Sequence, residues 1–94
     1  MELNSKGSFY RDLDNINNKY LLQAIKKKIA EIKRAKDISH ISHLKRFRTY
    51  SRSWYKIEII PEHSGKTYWI LCTIRNNLVE LRRVKPESYF KKNY

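Results

Sequence analysis

Ninety-four residues, 40% of them apolar and 32% charged, allow one modest hydrophobic core and exclude a deep cleft between domains, so residues 1–94 are expected to form a single domain. A formal net charge of +12 points to a polyanion or an acidic protein as partner. The single cysteine, Cys72, excludes an internal disulfide, and no apolar stretch approaches the roughly 20 residues of a membrane span. With a polar opening, MELNSKGSFYRDLD, that does not read as a secretory signal, the expected setting is cytoplasmic, reducing and away from membranes.

Met1 to Leu3 reads as a short opening strand. Phe9, Leu13 and Ile16 then recur at i, i+4, i+7 and so share one helical face. The asparagine-rich run 15–18 breaks that helix, and Asn17 or Asn18 can cap the next by accepting from its unpaired backbone N–H groups. The second helix, Lys19 to Lys36, carries Leu21, Leu22, Ile25, Ile29 and Ile32 on a 3.6-residue period. Its run Lys26-Lys27-Lys28 reads as a solvated face, and the short connection predicts a helical hairpin. Residues 37–53 look irregular.

Three strands follow. Tyr55, Ile57 and Ile59 alternate with Lys56 and Glu58, and Pro61 ends that run. Thr67 to Ile74 is apolar at consecutive positions, the mark of a central strand covered on both faces. Asn76 and Asn77 tolerate positive φ and suit a tight turn, Leu78 to Val84 is the third strand, and Pro86 stops regular pairing. The fold class expected is α+β, an N-terminal helical hairpin packed on a small antiparallel sheet.

Chemistry-bearing patterns are few. His40 and His43 stand three apart without the further ligands a metal needs, and no glycine-rich phosphate loop is present, so no metal or cofactor is expected. Glu58 and Glu80 read as ion-pair partners on a strand surface. What remains is a basic and aromatic constellation in residues 45–94, where twelve Lys and Arg face four acids. Cations interleaved with rings on short strands suit an RNA chain with unstacked bases. Lys45, Arg46, Arg48, Arg52, Lys66, Tyr68 and Arg75 are the candidate RNA-binding residues. Strand alternation predicts Arg82 and Arg83 on opposite faces, one of them beside Lys56. A cluster of Lys, Arg and Tyr is also chemically sufficient to cut RNA: fixed cations stabilise charge on the phosphate while Tyr or Lys moves protons.

The order of residues resembles the RelE/ParE superfamily of bacterial toxin–antitoxin toxins. The stretches that carry the likeness are SFYRDLDNI (8–16), NKYLLQAIKKKIAEIKRAKDI (18–38), HLKRFRTYSRSWYKIEI (43–59) and NNLVELRRVKPESYF (76–90). The resemblance implies a helical hairpin on an antiparallel sheet and a cognate antitoxin, expected to be acidic and partly disordered. It also implies one of two activities: mRNA cleavage in the ribosomal A site by RelE-like members, or inhibition of DNA gyrase by ParE-like ones. Carried over position by position, it assigns catalysis to Lys56, Arg82, Arg83, Lys85 and Tyr89. Three positions depart from the cleaving branch: Glu58 where a second base is common, Trp69 near a usual Arg, and Pro86 at an expected Arg. The sequence therefore leaves three functions open, namely a ribosome-dependent endoribonuclease, a non-cleaving toxin of a protein such as gyrase, and a degenerate RNA-binding module.

Overall fold

The apolar run of the second half forms the middle of the sheet. The computed structural model describes residues 1–46 and 54–93, and within them the strand order is β1-β5-β4-β3-β2. The strands are β1 (Glu2–Ser5), β2 (Leu44–Arg46), β3 (Trp54–Ile59), β4 (Tyr68–Arg75) and β5 (Leu78–Pro86). Strand β1 runs parallel to β5, and the other pairs are antiparallel. Helices α1 (Gly7–Asp14) and α2 (Lys19–Arg34) precede β2, and α3 (Glu87–Asn93) follows β5. The expected α+β architecture is observed, with the N-terminal helices on one face of the sheet.

Local chemistry sets the boundaries. The Asn18 side chain accepts from the N–H groups of Tyr20 and Leu21 at 2.9 and 3.3 Å, capping α2 as anticipated. Asn76 and Asn77 sit at φ 51° and 66°, the left-handed pair that a two-residue hairpin between β4 and β5 requires. The helix-facing side of the sheet buries Ile57, Ile59, Ile70, Cys72, Val79, Leu81 and Val84 against Phe9, Leu21, Ile25 and Ile32. Cys72 is fully enclosed there, and burial pushes its thiol up to about 12, which makes it a core side chain rather than a nucleophile. Among the described residues no helix is long and apolar enough to cross a membrane.

Four expectations need correction. Residues 37–46 are not irregular: Ile38–His40 makes a 3-10 turn and β2 pairs Leu44–Arg46 with β3. Its three residues include two exposed cations, so an edge strand of this kind has no hydrophobic alternation to betray it. Helix α3 was not expected, because seven residues cannot display a helical period. It explains why β4 is apolar on both sides, since Trp69 and Leu71 pack beneath Phe90.

Lys28 does not belong to a solvated face. It is buried, and its ammonium donates to Glu31 Oε1 at 2.9 Å, the Ser42 carbonyl at 3.0 Å and Ser42 Oγ at 2.9 Å, tying α2 to the segment that leads into β2. Lastly, β4 and β5 shift register between Leu71 and Cys72: Leu71 pairs with Arg83 while Cys72 pairs with Leu81. Arg82 is the extra residue of a bulge. Because Leu81 and Val84 both face the core, the bulge turns Arg82 and Arg83 to the same, outer side rather than to opposite faces.

Beyond β1, the open edge of β5 is closed by α1 instead of another strand. The Lys6 N–H donates to the Leu81 carbonyl at 2.9 Å, and the Ser8 hydroxyl donates to the Arg82 carbonyl at 2.6 Å. The Val84 N–H donates to Asp12 Oδ2 at 2.8 Å. Arg83 grips the same carboxylate, Nε to Oδ2 at 2.9 Å and Nη2 to Oδ1 at 3.1 Å. Burial alone would raise the Asp12 carboxyl, but the bonds from Arg83 and Val84, with the charges of Arg83 and Lys85, outweigh it and hold it below its ordinary range.

Three outcomes follow from these ties. Asp12→Ala should lower stability by about 1–3 kcal/mol in urea unfolding, and Asp12→Asn by less, since an amide oxygen still accepts from Val84. Lys28→Ala should cost about 1–3 kcal/mol while its exposed neighbour Lys27→Ala stays within about 0.5 kcal/mol; equal effects would show that the buried tie is idle. Acid dependence has a fixed sign. Asp12 and Glu31 are held below their ordinary values of 3.8 and 4.5, Glu31 by bonds from Ser42 and Lys28 that outweigh its burial. Their stabilisation is therefore complete above those ordinary values and lost as pH falls through the lowered ones, so the urea midpoint should drop below about pH 4, less steeply in Asp12→Asn.

Candidate RNA-binding face

The side of the sheet away from α1 and α2 carries a second, smaller apolar cluster surrounded by cations. Trp69, Leu71 and Phe90 form its buried centre, with Trp54 and Tyr89 packed against it. Alternation builds this face from Trp54, Lys56 and Glu58 of β3 and Trp69, Leu71 and Thr73 of β4. From β5 it takes Glu80, the bulged pair Arg82 and Arg83, and Lys85. Lys45 of β2 lies directly opposite Lys56, which lies opposite Leu71, which lies opposite Arg83. One row along, Glu58, Trp69 and Lys85 are neighbours across three strands.

The cations on this face are held in two different ways. Arginines are fixed by carboxylates. Arg83 is clamped by Asp12, whose hydrogen bonds and charge raise the guanidinium further, with the Tyr89 phenol within electrostatic reach. Arg82 donates to Thr73 Oγ1 at 3.1 Å and pairs with Glu80 at 3.4 Å, lying 5.3 Å from the Trp54 ring centroid. Glu80 is also bridged by Lys6 at 2.8 Å, as its assignment to a surface ion pair anticipates. Lysines, in contrast, stack on rings. The Lys56 ammonium stands 4.4 Å from the centroid of Trp69 and 5.0 Å from that of Phe90. Lys45 lies 5.6 Å from Trp69, and Lys85 5.2 Å from Tyr89. A ring quadrupole attracts an ammonium without cancelling its charge.

All five residues assigned to catalysis, Lys56, Arg82, Arg83, Lys85 and Tyr89, thus lie on this face. The wider RNA-binding set is more scattered. Lys45 belongs here, whereas Arg46 alternates to the helix side of the sheet edge opposite Tyr55. Tyr68 is half-buried and packs against the main core, on the helix-facing side of the sheet. Lys66 stands in the loop before β4, and Arg75 at the hairpin end of the same strand. Arg48 and Arg52 lie outside the described residues. Of the departures from the resemblance, Trp69 is the buried floor, only 3% exposed, and Pro86 closes β5 opposite Tyr68. Glu58 faces the sheet margin, 3.7 Å from His43 Nδ1, while the other candidate histidine, His40, pairs with Asp37 at 3.2 Å.

Asp12 and Phe90 are the participants that sequence reasoning passed over. Asp12 sits on the polar side of a short helix, and its partner is 71 residues away, a separation that carries no local signal. Phe90 was visible only as one ring among many. Beside α1, Ser8, Arg11, Asp12, Asn15 and Arg83 line a shallow polar hollow that opens at the edge of the face.

Sequence comparison finds no matching protein-family model and no similar characterised protein. Likeness appears at the level of structure. The RelE toxin in the RelB–RelE antitoxin–toxin complex of Methanococcus jannaschii superposes with a TM-score of 0.71 at 18% identity, covering 97% of this chain and 98% of that one. YafQ from Escherichia coli strain BL21(DE3) gives 0.65 at 9% identity over 95% and 96%. The Helicobacter pylori protein HP0894 gives 0.56 at 14% identity over 94% and 96%. Identities this low speak for architecture alone, and by that architecture the chain has the RelE-like toxin fold over nearly its whole length.

Proposed function

We propose that this chain is the toxin of a type II toxin–antitoxin pair and that it cuts mRNA on the ribosome. The observation that supports this most is the gathering of Lys56, Arg82, Arg83, Lys85 and Tyr89, from three separate elements, on one cationic sheet face. In the proposed reaction Tyr89 orients the ribose 2′-hydroxyl and takes its proton. The 2′-oxygen then attacks the adjacent phosphorus, and the bond to the 5′-oxygen breaks. Lys56, Arg82 and Arg83 meet the charge that builds on the phosphate, and Lys85 hands a proton to the departing 5′-oxygen. The products are a 2′,3′-cyclic phosphate and a 5′-hydroxyl, and no metal is required.

A cationic domain of +12 suits an acidic antitoxin that orders as it binds, and one structural neighbour is a toxin in complex with its antitoxin. The site of action would be the cytoplasm, where ribosomes translate. A second reading draws on the carboxylates that hold Arg82 and Arg83: cations committed to the fold leave less charge for a transition state, as expected of a face that binds RNA, or blocks a protein target, without cutting.

The test is inducible expression in bacteria with mapping of mRNA 5′ ends. New cuts with 5′-hydroxyl ends inside translated frames, lost when translation is blocked, are the expected result. Growth arrest without cuts would move the assignment to a protein target such as gyrase, and soluble protein without arrest would leave RNA binding alone. Tyr89→Phe and Lys56→Gln should each reduce cutting about 100-fold or more while urea unfolding stays near wild type. Arg83→Ala is a poorer probe, because it also strips Asp12 of its partner.

A further inference from the structure

We propose that Trp69 is the positioning residue of this face, a buried indole that seats the ammonium groups of Lys45 and Lys56 where an RNA phosphate would meet them. The first observation is geometric. One ring serves two lysines from two different strands, with Lys56 at 4.4 Å and Lys45 at 5.6 Å from its centroid. Lys45 and Lys56 stand directly opposite each other on β2 and β3, an arrangement of like charges that repels unless something attracts both. Tryptophan has the strongest ring quadrupole of the natural side chains for that purpose.

The second observation concerns the other end of the indole. Trp69 is 3% exposed, and its Nε1–H has no acceptor among the described residues. Leaving a buried donor unpaired is costly, and Phe or Leu would fill this strand position with no such donor. Apolar packing alone therefore does not account for an indole here, whereas seating two cations does. Phe90 completes the seat: it meets Trp69 edge-on at 6.2 Å and lies 5.0 Å from the Lys56 ammonium, so that ammonium is flanked by two rings.

The seat stands on geometry, and only its use rests on the RNA reading above, so the experiment has two arms. In the first, carbon-edited NMR of the full chain compares lysine ε-methylene signals. Ring currents should displace those of Lys56, and less strongly Lys45, upfield of those of Lys66. Trp69→Leu should abolish the displacement and Trp69→Phe should keep part of it. In the second, fluorescence anisotropy measures binding of a labelled single-stranded RNA oligonucleotide. Trp69→Leu should weaken binding about three- to tenfold, with Trp69→Phe between it and wild type. Lys56 and Lys66 signals that coincide in the wild-type protein overturn the seat even if no variant folds. Displacement lost in Trp69→Leu with RNA affinity unchanged overturns the positioning role. Displacement present in a wild-type protein that binds no RNA upholds the seat and sinks the RNA reading instead.

Discussion

One carboxylate fastens the first helix to the last strand at the point where the sheet ladder is broken. Asp12 accepts from the Val84 backbone and from two nitrogens of Arg83, so a short helix that makes no ladder of its own completes the edge of β5. An exposed edge at this point would offer unpaired N–H and C=O groups to other chains. The bulge at Arg82 sharpens the need, because it breaks the regular ladder just where β1 has ended. Closing the edge and turning both arginines outward are two results of the same arrangement. Without the bulge, one arginine would point into the apolar core.

That arrangement also separates two classes of cation. Arginine, with its planar fork, is spent on carboxylates: Arg83 on Asp12 and Arg82 on Glu80. Lysine, a point charge on a flexible stem, is laid over rings: Lys45 and Lys56 on Trp69, Lys85 on Tyr89. Arg82 shares in both kinds of contact, since it also lies over Trp54. A surface of this design retains a positive field close to an apolar floor, where water screens it less than in bulk.

Periodic elements were legible in the sequence, and aperiodic ones were not. Both N-terminal helices, the Asn18 cap, the Asn76-Asn77 turn and the central place of β4 each follow from a local rule that the structure obeys. Strand β2 and helix α3 are three and seven residues long, too short to repeat a pattern. Lys28 looked solvated because its neighbours are lysines, and only the distant Ser42 reveals its burial. That Lys56 shares a face with one of the two arginines could be anticipated from alternation, but the shared side of Arg82 and Arg83 depends on a bulge that no spacing announces, and the approach of Tyr89 depends on α3. Tyr68 lies on the helix-facing side of β4, a side hard to read because apolar residues run along both faces of the strand and only Thr73 and Arg75, near its end, mark the outer one.

The parallel pairing of β1 with β5 sets an order of events during synthesis. Glu2 to Ser5 are made about 76 residues ahead of their partners, Leu78 to Leu81. A strand made so far ahead of its partner must wait, solvated, while the intervening chain is made. Asp12 waits with it for Arg83 and Val84. The face that β3, β5 and α3 build together can therefore assemble only once β5 and α3 have both been made.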